Sequence, residues 1–289
     1  MKKNLVLVPM MIAGILFLSQ CLNQKSKAPV QKASVTAGLI THKEAVDSLL
    51  ADSTAPIKPL IFKILDNDAK QAALRNIALD SLFINGYPDN GFYGEDKYRI
   101  EFVFNEAKRD EIDPSVYHIK GKNRHKKTIT NFEGTVRITE LRSFTDPNMD
   151  SASVAEMNVK NLYTAKGVFE FKEDSAMINT SGLFKGTLQM EFAEYKEDKP
   201  QLWFYSAGMY ATDGRGTPGY RLDGTWTSFK NPNMVKPVIW ARDLFSFAND
   251  ILKDFSVGER DVEINREYRA LGWESFWENE EWWHETPKM

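Results

Sequence analysis

The sequence predicts a mainly β protein, an antiparallel barrel or sandwich of about seven to nine strands. Helices precede the strands, and an aromatic-rich, partly helical segment follows them. Three observations predict this. Apolar residues recur with period two, as in Tyr98, Ile100, Phe102 and Phe104, set against Arg99 and Glu101, which puts one side of a strand on a core and the other in water. Turn-forming residues punctuate several of these runs, and no long helical pattern lies between them to carry a parallel crossover. A Gly-Thr pair also recurs inside the runs, at Gly134-Thr135, Gly186-Thr187 and Gly224-Thr225. A glycine inside a strand marks a bulge, a bend or a close backbone approach, and repeated bends are how a sheet curls on itself.

In chain order, Lys2 and Lys3 precede an apolar run from Leu5 to Leu18, and Cys21 follows it as the only cysteine in the chain. The run contains Pro9 and falls short of the roughly 20 apolar residues a spanning helix needs, so it reads as a signal peptide over 1–20. Residues 21–40, rich in Lys, Gln, Ser and Ala, read as a flexible tether. Thr41 with Glu44 forms a capping box, with Ala45, Val46, Leu49 and Leu50 at helical spacing behind it. Pro56 and Pro59 interrupt that helix, and Ile61, Ile64, Leu65, Ala69, Ala72, Ala73 and Ile77 predict more helix, restarting at Asp66 or Asp68. A helical segment is therefore expected over 41–82.

The β domain is expected over 83–232, opening on a turn at Pro88, Asp89, Asn90 and Gly91. Strands are predicted near 98–104, 116–122, 128–141, 162–172, 183–194, 201–210 and 219–229. Further turns are expected at Asp146-Pro147-Asn148, Lys199-Pro200 and Asp213-Gly214. The last segment, 233–289, sets Trp240, Trp273, Phe276, Trp277, Trp282 and Trp283 among acidic residues and is expected to pack on the β domain. Its best helical stretch is Arg266 to Trp277.

Leu18, Ser19, Gln20 and Cys21 resemble the lipobox of bacterial lipoprotein precursors, with Gln20 departing from the small residue usual before the cysteine. That likeness implies lipidation of Cys21 by fatty acyl chains such as palmitate, export, and anchoring in the cell envelope, at the outer membrane. The Gly-Thr strand motifs, Gly224-Thr225-Trp226-Thr227-Ser228 and the closing Leu271-Gly272-Trp273-Glu274 are similar to a group of uncharacterised exported bacterial lipoproteins over residues 115–277. This family implies location and a β fold but supplies no chemistry. The Gly-x-Trp triplet at Gly224 to Trp226 also resembles lipocalin barrels, although there it belongs to the first strand, and this likeness implies a calycin-like barrel among the expected folds.

The charges nearly cancel, 37 basic against 40 acidic, so no global field gathers nucleic acid, and none is expected as a partner. One cysteine excludes thiolate-rich metal sites, and His42, His118, His125 and His284 show no ligand spacing. No metal and no cofactor are expected. Gly214-Arg215-Gly216-Thr217-Pro218-Gly219 matches a dinucleotide fingerprint as a string, but a strand is expected after it where that mechanism needs a helix. Two speculative ligand sites stand out. Alternation puts His118, Lys120 and Lys122 on one strand face, suited to an anion or an acidic saccharide, and puts Trp203 and Tyr205 together on another, suited to stacking on a sugar or an apolar ligand. The expectation is a membrane-anchored envelope protein that binds a small ligand, a glycan or an envelope partner, with protein partners unspecified. The alternatives are a carboxylate-dependent glycan hydrolase and a structural or assembly lipoprotein; no catalytic residue is assigned.

Overall fold

In a computed structural model of the chain, eight antiparallel strands close into a ring. It describes residues 60–84, 86–145, 147, 158–196, 202–204, 219–242, 244, 248, 250–253, 263–276 and 281–284, all within the unit Pro56–Met289. Cys21, the expected signal peptide and tether, the helix expected from Thr41, Tyr205 and Trp277 lie outside these residues.

Before the barrel come β1 (Ile61–Ile64), the helix α1 (Asn67–Asn76) and a 3₁₀ turn (Leu79–Leu82). The helix starts where Asp66 accepts a hydrogen bond from the Ala69 N–H at 2.9 Å, as an N-cap does. It ends where the Arg109 guanidinium donates to the carbonyls of Leu74, Arg75 and Ile77 at 2.6, 3.0 and 3.1 Å, satisfying acceptors the helix leaves open. The expected helix over 61–64 is corrected: these residues form a strand against Arg142–Thr145 of β5 (Thr128–Thr145). Ile61 and Ile64 are 63% and 60% exposed, so their spacing does not describe a helical core face.

The barrel consists of β2 (Asp89–Tyr93), β3 (Tyr98–Arg109), β4 (Val116–His125), β5, β6 (Val159–Glu173), β7 (Gly182–Tyr195), β9 (Tyr220–Ser228) and β10 (Val235–Ala241). Between β7 and β9, β8 (Leu202–Phe204) adds a short flap along β7. Each barrel strand pairs with the next barrel strand in the chain, and β10 pairs back on β2 from Val238↔Tyr93 to Ala241↔Asn90. This is an up-and-down closure, which leaves the ring without a free edge. Two expectations are corrected here. Asp89, Asn90 and Gly91 open a strand instead of forming a turn, and the barrel runs on to Ala241, past the expected boundary at 232.

The pairing register runs unbroken through Gly134, Gly186 and Gly224, so none of the three marks a bulge; the shifts fall at Phe104/Glu106, Ile138/Glu140 and Val159/Asn161. Gly186 and Gly224 face each other, and a Cβ on either would strike the backbone of the other strand. The recurring glycine therefore permits close approach of paired strands.

Inward-facing residues fill the barrel. Trp240 is fully buried, stacked on Phe102 at 4.0 Å between centroids, with Phe169 and Phe184 edge-on to it at 5.1 and 6.2 Å. Phe83, just after the 3₁₀ turn, is fully buried against Phe104, Tyr117 and Tyr220. A second core lies outside the ring, where Leu244, Ala248, Ile251, Leu252, Ile264 and Trp273 cluster with Phe92. It includes the short pair β11 (Leu252–Lys253) and β12 (Glu263–Ile264). The expected helix from Arg266 to Trp277 is shorter: α2 (Arg266–Tyr268) passes into a wide turn that stops at Gly272, whose φ is 90°. Trp273 then turns inward, fully buried, and its indole N–H donates to the Lys97 carbonyl at 2.9 Å.

Candidate functional site

Alternation sends Lys120 and Lys122 to the outer wall and Gly121 and Asn123 inward. Register then builds a row across four strands, Glu106↔Lys120↔Glu133↔Lys172, in which the sign of charge alternates from strand to strand. Opposite charges directly across a sheet support pairing, and Lys120 lies 3.6 Å from Glu106. Above this row lies an open groove of about 590 Å³. Asn105, at the β3 bulge, and Asn131 add carboxamides to it, and the turn at Asp174 and Ser175 closes one end. Lys122 also lines it and donates to the Trp283 carbonyl at 2.8 Å, which brings the C-terminal segment to its border. Because Gly121 has no side chain, the floor reaches inward to Phe132 and Glu173.

Glu173 ends β6 in the inward phase of Phe169 and Phe171 and is 4% exposed. Three N–H groups converge on its carboxylate: Asn123 donates to Oε1 at 2.7 Å, while the Gly182 backbone and the Trp226 indole donate to Oε2 at 2.7 and 2.8 Å. Burial pushes this carboxyl up to about 7, against the downward pull of the three donors. Tyr93 is held above the usual phenol range by burial and then by the Glu173 charge. His125 lies tilted against Tyr93 at 4.3 Å and edge-on to Tyr98 at 5.1 Å between centroids. Its imidazole is pulled down to about 4 by burial, with Lys126 adding to the effect.

At the opposite end a second buried polar group closes the ring. The Tyr220 hydroxyl donates to Asp89, and Arg242 lies 3.4 Å from the same carboxylate. The guanidinium sits between the rings of Tyr87, Phe204 and Tyr220, 5.2 to 5.5 Å from their centroids. This arrangement joins β2, β9 and the end of β10, and serves closure.

Compared with known protein families, with curated protein sequences and with solved structures, the chain matches none. Function must therefore be read from the groove and the buried carboxylate.

His118, Lys120 and Lys122 do share one outer face, and each is engaged. His118 Nε2 lies 2.9 Å from Asp110, Lys120 faces Glu106, and Lys122 holds the Trp283 carbonyl. The face is thus a neutralised wall, and only its Lys120 and Lys122 line the groove. Trp203 is 61% exposed on β8 and is not among the groove's lining residues, and its expected companion Tyr205 lies outside the described residues. Of the dinucleotide-like string only Gly219 is described, and the strand β9 follows it directly. Among the described residues no three His, Cys, Asp or Glu side chains gather to hold a metal ion. Sequence reasoning missed Glu173, Asn123 and Trp226. The signal was present: a carboxylate and a carboxamide stand in the apolar phase of two strands.

Proposed function

We propose that this chain is an exported lipoprotein, joined to a bacterial membrane through lipid on Cys21, whose barrel binds an uncharged polar ligand of the glycan class in its outer-wall groove. The observation that carries the binding half is the groove of about 590 Å³ on a barrel whose interior is filled with aromatic rings. Its volume falls in the range of small-molecule sites, roughly 300 to 1,000 Å³. On the wall three ammonium groups (Lys120, Lys122, Lys172) balance three carboxylates (Glu106, Glu133, Asp174), with the Glu173 carboxyl, raised to about 7, in the floor; a groove so close to neutral favours a ligand without net charge. Such a wall offers donors and acceptors side by side, and sugar hydroxyls use both. Binding is favoured over hydrolysis because Glu173, the carboxyl with a general acid's affinity for protons, is 4% exposed and has both oxygens engaged by N–H groups.

Titration of the full chain in detergent with neutral chito- and cello-oligosaccharides tests the groove. Binding should weaken at least tenfold in Glu133→Gln and Lys172→Ala; steady turnover of any of these sugars would overturn the reading. Incorporation of labelled fatty acid, abolished by Cys21→Ala, tests the anchor.

A further inference from the structure

Glu173 is placed to do more than hold the barrel together. The groups that grip its carboxylate come from β4, the start of β7 and β9, while the carboxylate itself belongs to β6. The turn from Asp174 to Ser181 runs between two of these points, its first residue immediately after Glu173 and its last immediately before Gly182. That turn supplies Asp174 and Ser175 to one end of the groove. Backbone bonds hold both ends of the turn on the barrel, Asp174 N–H to the Asn131 carbonyl and Phe229 N–H to the Ser181 carbonyl at 3.0 Å each, and the Glu173 carboxylate adds a side-chain tie at the Gly182 N–H; the fully buried Ser181 hydroxyl has no hydrogen-bond partner among the described residues.

We propose that the Glu173 carboxyl is a proton-operated latch on the groove: protonated, it lets the β6–β7 turn and the groove's end sit closed over it, and on losing its proton to water it loosens both. The proposal rests on the groove being the binding site. Its chemistry is that of a buried charge. The three N–H groups favour the ionised carboxyl, but the cost of burial outweighs them, so the closed structure holds the proton more tightly than water does. Once ionised, the carboxylate gains by reaching water, and the turn beside it is what must give way.

Burial brings the proton into reach, since the carboxyl titrates at about 7. The surroundings leave it to titrate alone there. On the inner side Asn123, Thr130, Trp226 and Ser181 carry no charge, Tyr93 is held above the usual phenol range, and His125 is neutral above about 4. On the outer side Glu106 of β3, Lys120 and Lys122 of β4, Glu133 of β5 and Lys172 and Asp174 of β6 and its turn line the groove, three of each sign. The C-terminal segment meets this wall through the Trp283 carbonyl on Lys122, with His284 next in the chain.

Two N–H groups on one oxygen report the latch directly. In spectra of the full ¹⁵N-labelled chain in detergent between pH 5 and 8.5, the Trp226 indole and Gly182 amide resonances should move together in one step centred near 7. The Trp273 indole, bonded to a carbonyl, should stay still. The step should vanish in Glu173→Gln. A flat Trp226 resonance, or a step that survives the substitution, would overturn the proposal. Should Glu173→Gln fail to fold, the ¹³C carboxyl resonance of Glu173 in the unaltered chain should titrate near 7, and a carboxyl that stays charged down to pH 5 would overturn the latch. Affinity for chitotriose at pH 6 and pH 8 then tests control of the groove. A change of at least fivefold, lost in Glu173→Gln, is expected, and equal affinities with the step present would overturn the link to the groove. Absence of sugar binding at both pH values would overturn the groove reading while the titration still decides the latch.

Discussion

Glu173 and His125 stand near the same end of the barrel and push stability in opposite directions. The Glu173 carboxyl is raised from 4.5 to about 7, so its contribution is fully present below 4.5 and is lost as pH rises through 7, on the order of 3 kcal/mol. The His125 imidazole is lowered from 6.5 to about 4, so its contribution is present above 6.5 and is lost as pH falls through 4. Between 4.5 and 6.5 folding takes up a proton at one residue and releases one at the other. Urea unfolding should therefore show nearly constant stability across that window. His125→Phe should uncover a fall in stability from pH 4.5 to 7, and Glu173→Gln a rise from pH 4 to 6.5; parallel pH profiles in both variants would refute the pairing. The strands expected over 116–122 and 162–172 stop one residue short of Asn123 and Glu173 and so miss their inward phase; the shared outward phase of His118, Lys120 and Lys122 was legible. Their partners were not. Asp110, Glu106 and Trp283 meet those side chains only through strand register and the path of the C-terminal segment, which no local pattern encodes.

Among elements, the six barrel strands β3 to β7 and β9 were legible from their alternation, and the pair that closes the ring was not. In β2, Asp89, Asn90 and Gly91 carry the composition of a turn, yet each is explained by a distant contact. Asp89 receives the Tyr220 hydroxyl, Asn90 accepts from Arg99 at 2.8 Å, and Gly91 lies where a Cβ would strike Trp240. Tertiary packing overrides propensity at these positions. In β10, Pro237 breaks the pattern where β2 has already ended, its carbonyl accepting from Gly94 at 2.8 Å. The C-terminal segment depends on one side chain of β3. Arg99, 6% exposed, donates to the Gly272, Ser275 and Phe276 carbonyls at 3.3, 3.0 and 3.5 Å and pairs with Glu101 at 2.8 Å. Arg99→Ala should loosen this segment by roughly 3 kcal/mol, because it takes the donor from three carbonyls and one of two cations from the buried Glu101 carboxylate, which Arg124 still holds at 2.6 Å. Limited proteolysis is expected to cut within 244–276 at least tenfold faster while amide protection in β4 to β7 is unchanged. Equal loss of protection in both would make the segment part of the barrel's own cooperative unit.

As a whole molecule the barrel is a solid body, and its cost of hollowing can be measured. Trp240 touches Phe102, Phe169, Phe171 and Phe184 across the interior. Trp240→Ala should cost about 3 to 5 kcal/mol and leave a dry cavity that takes up xenon or benzene, which the unaltered chain should exclude. Binding of either by the unaltered chain would show an interior cavity already present.

The pairing of Tyr93 with Val238 joins the first barrel strand to the last. Loop-closure entropy delays contacts so distant in sequence, which makes ring closure the slow event of folding. Until β10 is available, β2 and β9 each present an unpaired edge, open to adding a strand from another molecule. A chain that emerges gradually, from a ribosome or a translocation channel, stays an open and adhesive ribbon until residues 235–241 have appeared. The fold is therefore committed late and all at once, and a truncation that removes only β10 leaves a sheet that seeks its missing edge in its neighbours.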